Sequence, residues 1–218
     1  MAFDWRNLIA RRVALTFKDG DVVNLGIGLP TLVPNHTPKG VKVHFQGENG
    51  VLGLGPAPSL DKLDKDIFDA GVAYATVLPG GSFFDSAASF GLIRSGKVDV
   101  TVLGALQVDS EGNLASWMVP GKFIAGYGGA MDLVTCARHV IVAMEHTNAG
   151  KPKILGKCTF PLTGPKCINT IVTDLAFIEV TEKGLLVKEI AEGVSVEQLR
   201  HATEADLMIA DNVKTMSV

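Results

Sequence analysis

The chain has 218 residues, 47% of them hydrophobic and 20% charged, with a formal net charge of -3. That balance is globular rather than disordered, and the length is enough to bury a core. Interspersed charges with no basic block give no reason to expect a nucleic-acid partner, and no apolar run reaches the roughly 18 residues of a membrane span.

Taken in chain order, Asp4 is placed to cap a helix running to about Lys18, with Trp5, Leu8, Ile9, Val13 and Phe17 at helical spacing and Gly20 as the stop. Asp21 to Gly28 reads as a buried strand ending in a glycine turn. Val41 to Phe45 alternates and reads as a second strand, ending at Gln46-Gly-Glu-Asn-Gly50. Two prolines and two glycines between Val51 and Leu60 predict a loop. Val72 to Leu78 is a further apolar run, closed by Pro79-Gly80-Gly81, and Ser82 and Asp85 fit the cap of a helix from about Phe83 to Arg94. Val98 to Val108 is the clearest strand, with a turn at Asp109 to Asn113 and Leu114 to Val119 returning as its hairpin partner. Gly128-Gly129 opens a short helix, and His139 to Glu145 is another buried strand. Thr170 to Thr173, Ala176 to Thr181 and Leu185 to Ile190 follow as short strands, the last two joined by a hairpin signal. Ser195 to Ala202 is a helix with Gln198 placed for a capping box. No linker divides the chain, so residues 1–218 read as one domain. The order predicts an α/β layered fold, a mostly parallel central sheet flanked by helices with some antiparallel strands.

The start, Met-Ala-Phe-Asp-Trp-Arg, has an acid and no apolar core, so no secretory leader is expected. Cys136, Cys158 and Cys167 are odd in number and form no C-x-x-C pair, which supports neither a disulfide framework nor a cysteine zinc site and fits a reducing cytoplasm.

The 24 glycines cluster at the ends of apolar runs, as expected where strand ends converge on a site. Glu48 follows an apolar strand between Gly47 and Asn49-Gly50. In open α/β sheets ligands bind at the carboxyl ends of strands, and a dry, well-aimed carboxylate is a competent nucleophile. A solvated glutamate in an Asn-Gly turn is the alternative from spacing alone. Gly26-Ile-Gly28 could present backbone N–H groups to a ligand, or merely let the chain pack closely; it lacks the dinucleotide and P-loop patterns. Gly128-Gly129 at a helix start leaves N–H groups of the kind an oxyanion hole needs, or is an ordinary glycine cap. None of the five histidines is spaced as a metal pair, and no serine sits in a G-x-S-x-G elbow.

Several segments resemble one family together: Asn24-Leu-Gly-Ile-Gly-Leu-Pro-Thr31, Glu48-Asn-Gly-Val-Leu-Gly-Leu-Gly-Pro56, Gly80-Gly-Ser-Phe-Phe-Asp-Ser86, Gly104-Ala-Leu-Gln-Val108, Asn113 to Lys122, Gly128-Gly-Ala-Met-Asp-Leu-Val134 and Gly156 to Gly164. Nearly the whole chain, in order, is similar to the β subunit of the acetate/acetoacetate (3-oxoacid) or class I CoA-transferases. The resemblance implies that Glu48 is the catalytic glutamate, that Gly128 and Gly129 belong to the oxyanion loop, and that Gly26, Gly28, Asn49 and Gly50 lie at the substrate or CoA site. It implies an α subunit partner, an α2β2 assembly, acyl-CoA and short-chain carboxylic acids as substrates, and no cofactor or metal. The Val51 to Pro58 stretch is expected to shield the site from water. An acyl-CoA hydrolase on the same scaffold is the alternative activity, with a sugar-phosphate isomerase or ligand-sensing module ranked below it.

Overall fold

The computed structural model describes residues 4–216. The Met1–Phe3 start, on which the expectation of no leader partly rests, lies outside them. Ten strands form one sheet: β1 (Val22–Leu25), β2 (His44–Gly47), β3 (Val51–Gly55), β4 (Thr76–Phe83), β5 (Val100–Leu103), β6 (His139–Ala143), β7 (Thr170–Val172), β8 (Ala176–Thr181), β9 (Gly184–Ile190) and β10 (Leu207–Thr215), in the spatial order β10-β9-β8-β7-β6-β5-β1-β2-β3-β4. The centre, β2-β1-β5-β6-β7, is parallel throughout. Antiparallel hairpins extend it on both sides, β2-β3-β4 on one and β7-β8-β9 on the other. This is the expected α/β architecture with a mostly parallel sheet.

The central strands are apolar at nearly every position because both faces are covered. Along β6, Val140 and Val142 join a core with Ile93, Leu133 and Leu199. Those three belong to helices α2 (Ser86–Arg94), α3 (Ala130–Cys136) and α4 (Val196–His201). The alternate residues Ile141 and Ala143 join the opposite core, with Ile9 and Val13 of helix α1 (Trp5–Ala14) and Val33 of a 3-10 helix over Leu29–His36. The period of two along the strand thus makes the two cores. Arg12 of α1 grips Glu189 of β9 with two hydrogen bonds, 2.7 and 2.9 Å, and lies 4.0 Å over the Phe177 ring. Among the described residues no helix is long and apolar enough to cross a membrane.

Several expected boundaries move. Helix α1 stops at Ala14 rather than Lys18, because the chain tightens there: Thr16 N–H bonds Val13 O, and the Thr16 hydroxyl donates to the same carbonyl at 2.7 Å. β2 begins at His44 and runs through Gly47. Val51 to Gly55 is strand β3, not loop. Its Gly53 has φ +90° and sits where the β3–β4 register shifts, and a Cβ there would stand 2.9 Å from the Gly81 Cα. The glycines mark a bulge and a close backbone crossing rather than a loop. Ser82 lies inside β4, so the cap of α2 is Asp85, whose carboxylate accepts the Ala88 N–H at 2.8 Å. The Val98 to Val108 run breaks: after Leu103 the chain leaves the central sheet, and Gln107–Asp109 pairs antiparallel with Leu114–Ala115, the expected hairpin, in a separate small sheet. The Ser195 capping box is present as expected.

Candidate active site

β2 and β3 are joined by the three-residue turn Glu48-Asn49-Gly50 at the carboxyl end of β2. Gly50 N–H closes it on Gly47 O at 3.0 Å. Gly50 has φ +117°, and the Phe84 carbonyl oxygen occupies the space that a Cβ would fill; Phe84 N–H in turn donates to Gly50 O at 2.9 Å. Only glycine suits that position. Asn49 points outward and donates to Phe68 O at 2.9 Å, tying the turn to the chain before β4. Glu48 is therefore half-buried on a turn anchored at both ends rather than a free surface glutamate.

Its carboxylate lies against the start of α3. A Cβ built on Gly129 would meet Glu48 Oε1 at 3.1 Å and the carboxyl carbon at 3.2 Å; one on Gly128 would meet Oε1 at 3.8 Å. Gly129 is the residue before α3 and Gly128 has φ +47°. Among the described residues neither glycine's amide donates a hydrogen bond to backbone or side chain. The Phe90 ring, on α2, comes within 3.4 Å of the same Cβ position on Gly129. Glu48, Gly128 and Gly129, distant in sequence, thus come together, the carboxylate lying beside two glycines whose amides are uncommitted among the described residues. Such amides can stabilise negative charge forming on an atom bonded to the carboxylate.

The other carboxylate oxygen meets Asn24, the first of three linked residues that sequence reasoning missed. Asn24 of β1 donates from Nδ2 to Gln46 Oε1 at 2.7 Å and to Gln46 O at 3.1 Å, and lies 3.4 Å from Glu48 Oε2. Gln46 donates from Nε2 to Ser89 Oγ of α2 at 2.9 Å and to Gly47 O at 3.0 Å. All three side chains are 2% exposed or less. The available signal was a polar residue interrupting an apolar strand, as Asn24 does in Val-Val-Asn-Leu, since buried polar groups need partners.

Gly26 and Gly28 lie at the end of β1, beside β2. Gly26 gives its N–H to Val102 O at 2.8 Å and leaves no room for a side chain against Leu103, so its amide is committed to the sheet. Gly28 is exposed at φ +91°, and its carbonyl accepts from both the Thr31 N–H and hydroxyl as the 3-10 helix begins. A cleft of about 230 Å³ lies between Gly26, Thr31, Asp69 and Tyr74 and reaches the base of the Glu48 turn at Gln46 and Gly47. Among the described residues no group of three or more His, Cys, Asp or Glu side chains stands close enough to hold a metal ion.

The coenzyme A transferase family model matches residues 6–202. The chain belongs to the coenzyme A transferase family. The acetate CoA-transferase subunit beta of Haemophilus influenzae is 50% identical over 214 residues, covering 98% of this chain and 96% of that protein. The human mitochondrial succinyl-CoA:3-ketoacid coenzyme A transferase 2 is 46% identical over 216 residues, which span 98% of this chain but only 42% of that longer protein. Among solved structures, an acyl-CoA transferase from Escherichia coli O157:H7 superposes with a TM-score of 0.79 at 20% identity, over all of this chain and 44% of that one. At that identity the superposition speaks for a shared coenzyme A transferase fold. The full-length match to a subunit beta identifies this chain as a β-type CoA-transferase subunit, which implies an α subunit partner.

Proposed function

We propose that this chain carries the nucleophile, Glu48, of a CoA-transferase that moves CoA from a short-chain acyl-CoA to a second carboxylic acid of the acetate, butyrate or acetoacetate type. The observation that carries the reading is the Glu48 carboxylate lying against the side-chain-free positions of Gly128 and Gly129, whose amides have no partner among the described residues. The carboxylate attacks the thioester carbonyl, and the amides stabilise the tetrahedral oxyanion. CoA thiolate leaves, producing an acyl-glutamyl anhydride. The thiolate then attacks the glutamyl carbonyl and releases the first acid, leaving a glutamyl-CoA thioester. The second acid attacks that thioester, expels the thiolate and forms a new anhydride. Thiolate attack on its acyl carbonyl gives the new acyl-CoA and restores the Glu48 carboxylate. The thioester energy is conserved in this ping-pong cycle, which calls on no cofactor beyond the CoA ester.

An anhydride must be kept from water. Val51 to Gly55 of the stretch expected to shield the site is strand β3 rather than loop, and Leu54 to Ala57 line the cleft that reaches the Glu48 turn. Exposed apolar side chains also surround the site: Ile27 beside Gly28, Phe68 and Tyr74 in the segment that receives Asn49, and Phe123, Ile124 and Tyr127 just before Gly128. Apolar surface of this kind fits a protein interface. It supports an α subunit that covers the site and completes it; the α2β2 assembly and the cytoplasmic location are part of the proposal. Acetyl-CoA formation from acetoacetyl-CoA and acetate tests the reading. It is expected from the co-expressed α and β chains and not from this chain alone. Turnover by this chain alone, or CoA release independent of acetate, contradicts it.

A further inference from the structure

We infer that Gln46 and Ser89 are positioning residues that aim an Asn24 N–H at the Glu48 carboxylate; this rests on the reading of Glu48 as nucleophile. The polarity of the network has only one solution. Gln46 faces Gly47 O and Ser89 Oγ with the same atom, at 3.0 and 2.9 Å. A carbonyl oxygen there would repel Gly47 O, so that atom is the amide nitrogen and Gln46 Oε1 must face Asn24. Oε1 then accepts from Asn24 at 2.7 Å, which turns the Asn24 nitrogen toward Gln46 and Glu48. One Asn24 N–H goes to Oε1; the other is shared by Gln46 O and Glu48 Oε2, at 3.1 and 3.4 Å.

This orientation is held at a cost. Asn24 Oδ1 is buried without a hydrogen-bond partner among the described residues, and a buried unpaired acceptor is destabilising. A core built for stability alone would place an apolar residue at each of these positions. The retained polarity fixes one carboxylate oxygen of the nucleophile, and Gly128 and Gly129 lie against the other. Neither Gln46 nor Ser89 touches Glu48; both act through Asn24.

The test uses the complex of this chain with its α partner. Formation of the Glu48-linked CoA adduct from acetoacetyl-CoA is followed in single turnover, and kcat and KM in the steady state. Gln46→Met keeps the volume and removes the polar pair. It is expected to slow adduct formation and kcat about tenfold or more with KM unchanged. Ser89→Ala is expected to lose less, and to add nothing to Gln46→Met in the double variant, because Ser89 acts through Gln46. A wild-type adduct together with unaltered rates in Gln46→Met, a change in KM alone, or losses that simply add would overturn the inference and leave the nucleophile in place. No adduct in the wild type overturns both. Should Gln46→Met fail to assemble, Ser89→Ala alone decides: a slowed adduct at unchanged KM supports the inference, and a wild-type rate overturns it.

Discussion

A methyl group at Gly129 would sit 3.1 Å from Glu48 Oε1 and 3.2 Å from its carboxyl carbon. The residue before α3 is therefore glycine for the sake of the carboxylate, since its own φ of -81° is one that any residue adopts. Gly129→Ala is expected to displace the carboxylate and lower kcat about 100-fold, while folding stability falls by only about 1 kcal/mol, the usual cost of alanine at a helix cap. Steady-state assays beside a denaturant melt check both parts. Equal activity in the variant would mean that the carboxylate has room to work elsewhere.

Gly50 presents the opposite case. Its φ of +117° and the Phe84 carbonyl standing in the Cβ position make the turn itself depend on it. Gly50→Ala should destabilise the fold by about 3 kcal/mol or more, and activity should fall with the fold. Denaturant unfolding reads this directly; a stable but inactive Gly50→Ala would assign the residue to chemistry instead.

His146 is fully buried between two hydroxyls, Thr173 Oγ1 at 2.9 Å and Thr203 Oγ1 at 2.8 Å. Burial holds its pKa down at about 4, with the attraction of Asp174 opposing the shift. Its ordinary value is 6.5, so between 6.5 and about 4 the unfolded chain binds a proton that the folded chain does not. Stability from this residue is thus present above pH 6.5 and lost as the pH falls toward 4, by on the order of 3 kcal/mol. Tm measured from pH 7 to pH 4 should fall less steeply in His146→Gln than in the wild type. Parallel slopes would show that His146 is not the group responsible.

Burial pushes the Cys158 thiol up to about 12, helped by the nearby Asp109 carboxylate, and burial pushes Cys167 up to about 11. The thiolate is the reactive form, so iodoacetamide at pH 8 should leave both peptides unmodified in the folded protein and label them after unfolding. Rapid labelling of either in the folded chain would contradict this.

The sheet was legible because its central strands are apolar on both faces and end at glycine, and those run ends are where Gly28, Gly47 and Gly50 stand. The Glu48 turn was legible for the same reason, as an acid placed between such glycines. β3 was not, because glycine at a bulge and glycine in a loop look alike until the partner strand is known; Gly53 and Gly81 are 28 positions apart. β10 was missed at the sheet edge, where Asp211 and Asn212 interrupt the apolar pattern. The Asn24, Gln46 and Ser89 network has no spacing to read: its links join residues 22 and 43 positions apart on three different elements, and only the register of β1 against β2 and the packing of α2 bring them together.

The nucleophile itself is tested by mass. The complex of this chain with its α partner is given acetoacetyl-CoA and no acceptor acid, and intact mass is followed by peptide mapping. The account predicts a CoA adduct on the Glu48 peptide, discharged by acetate and absent in Glu48→Ala. An assembled complex that consumes acetoacetyl-CoA with no adduct on Glu48 would contradict it.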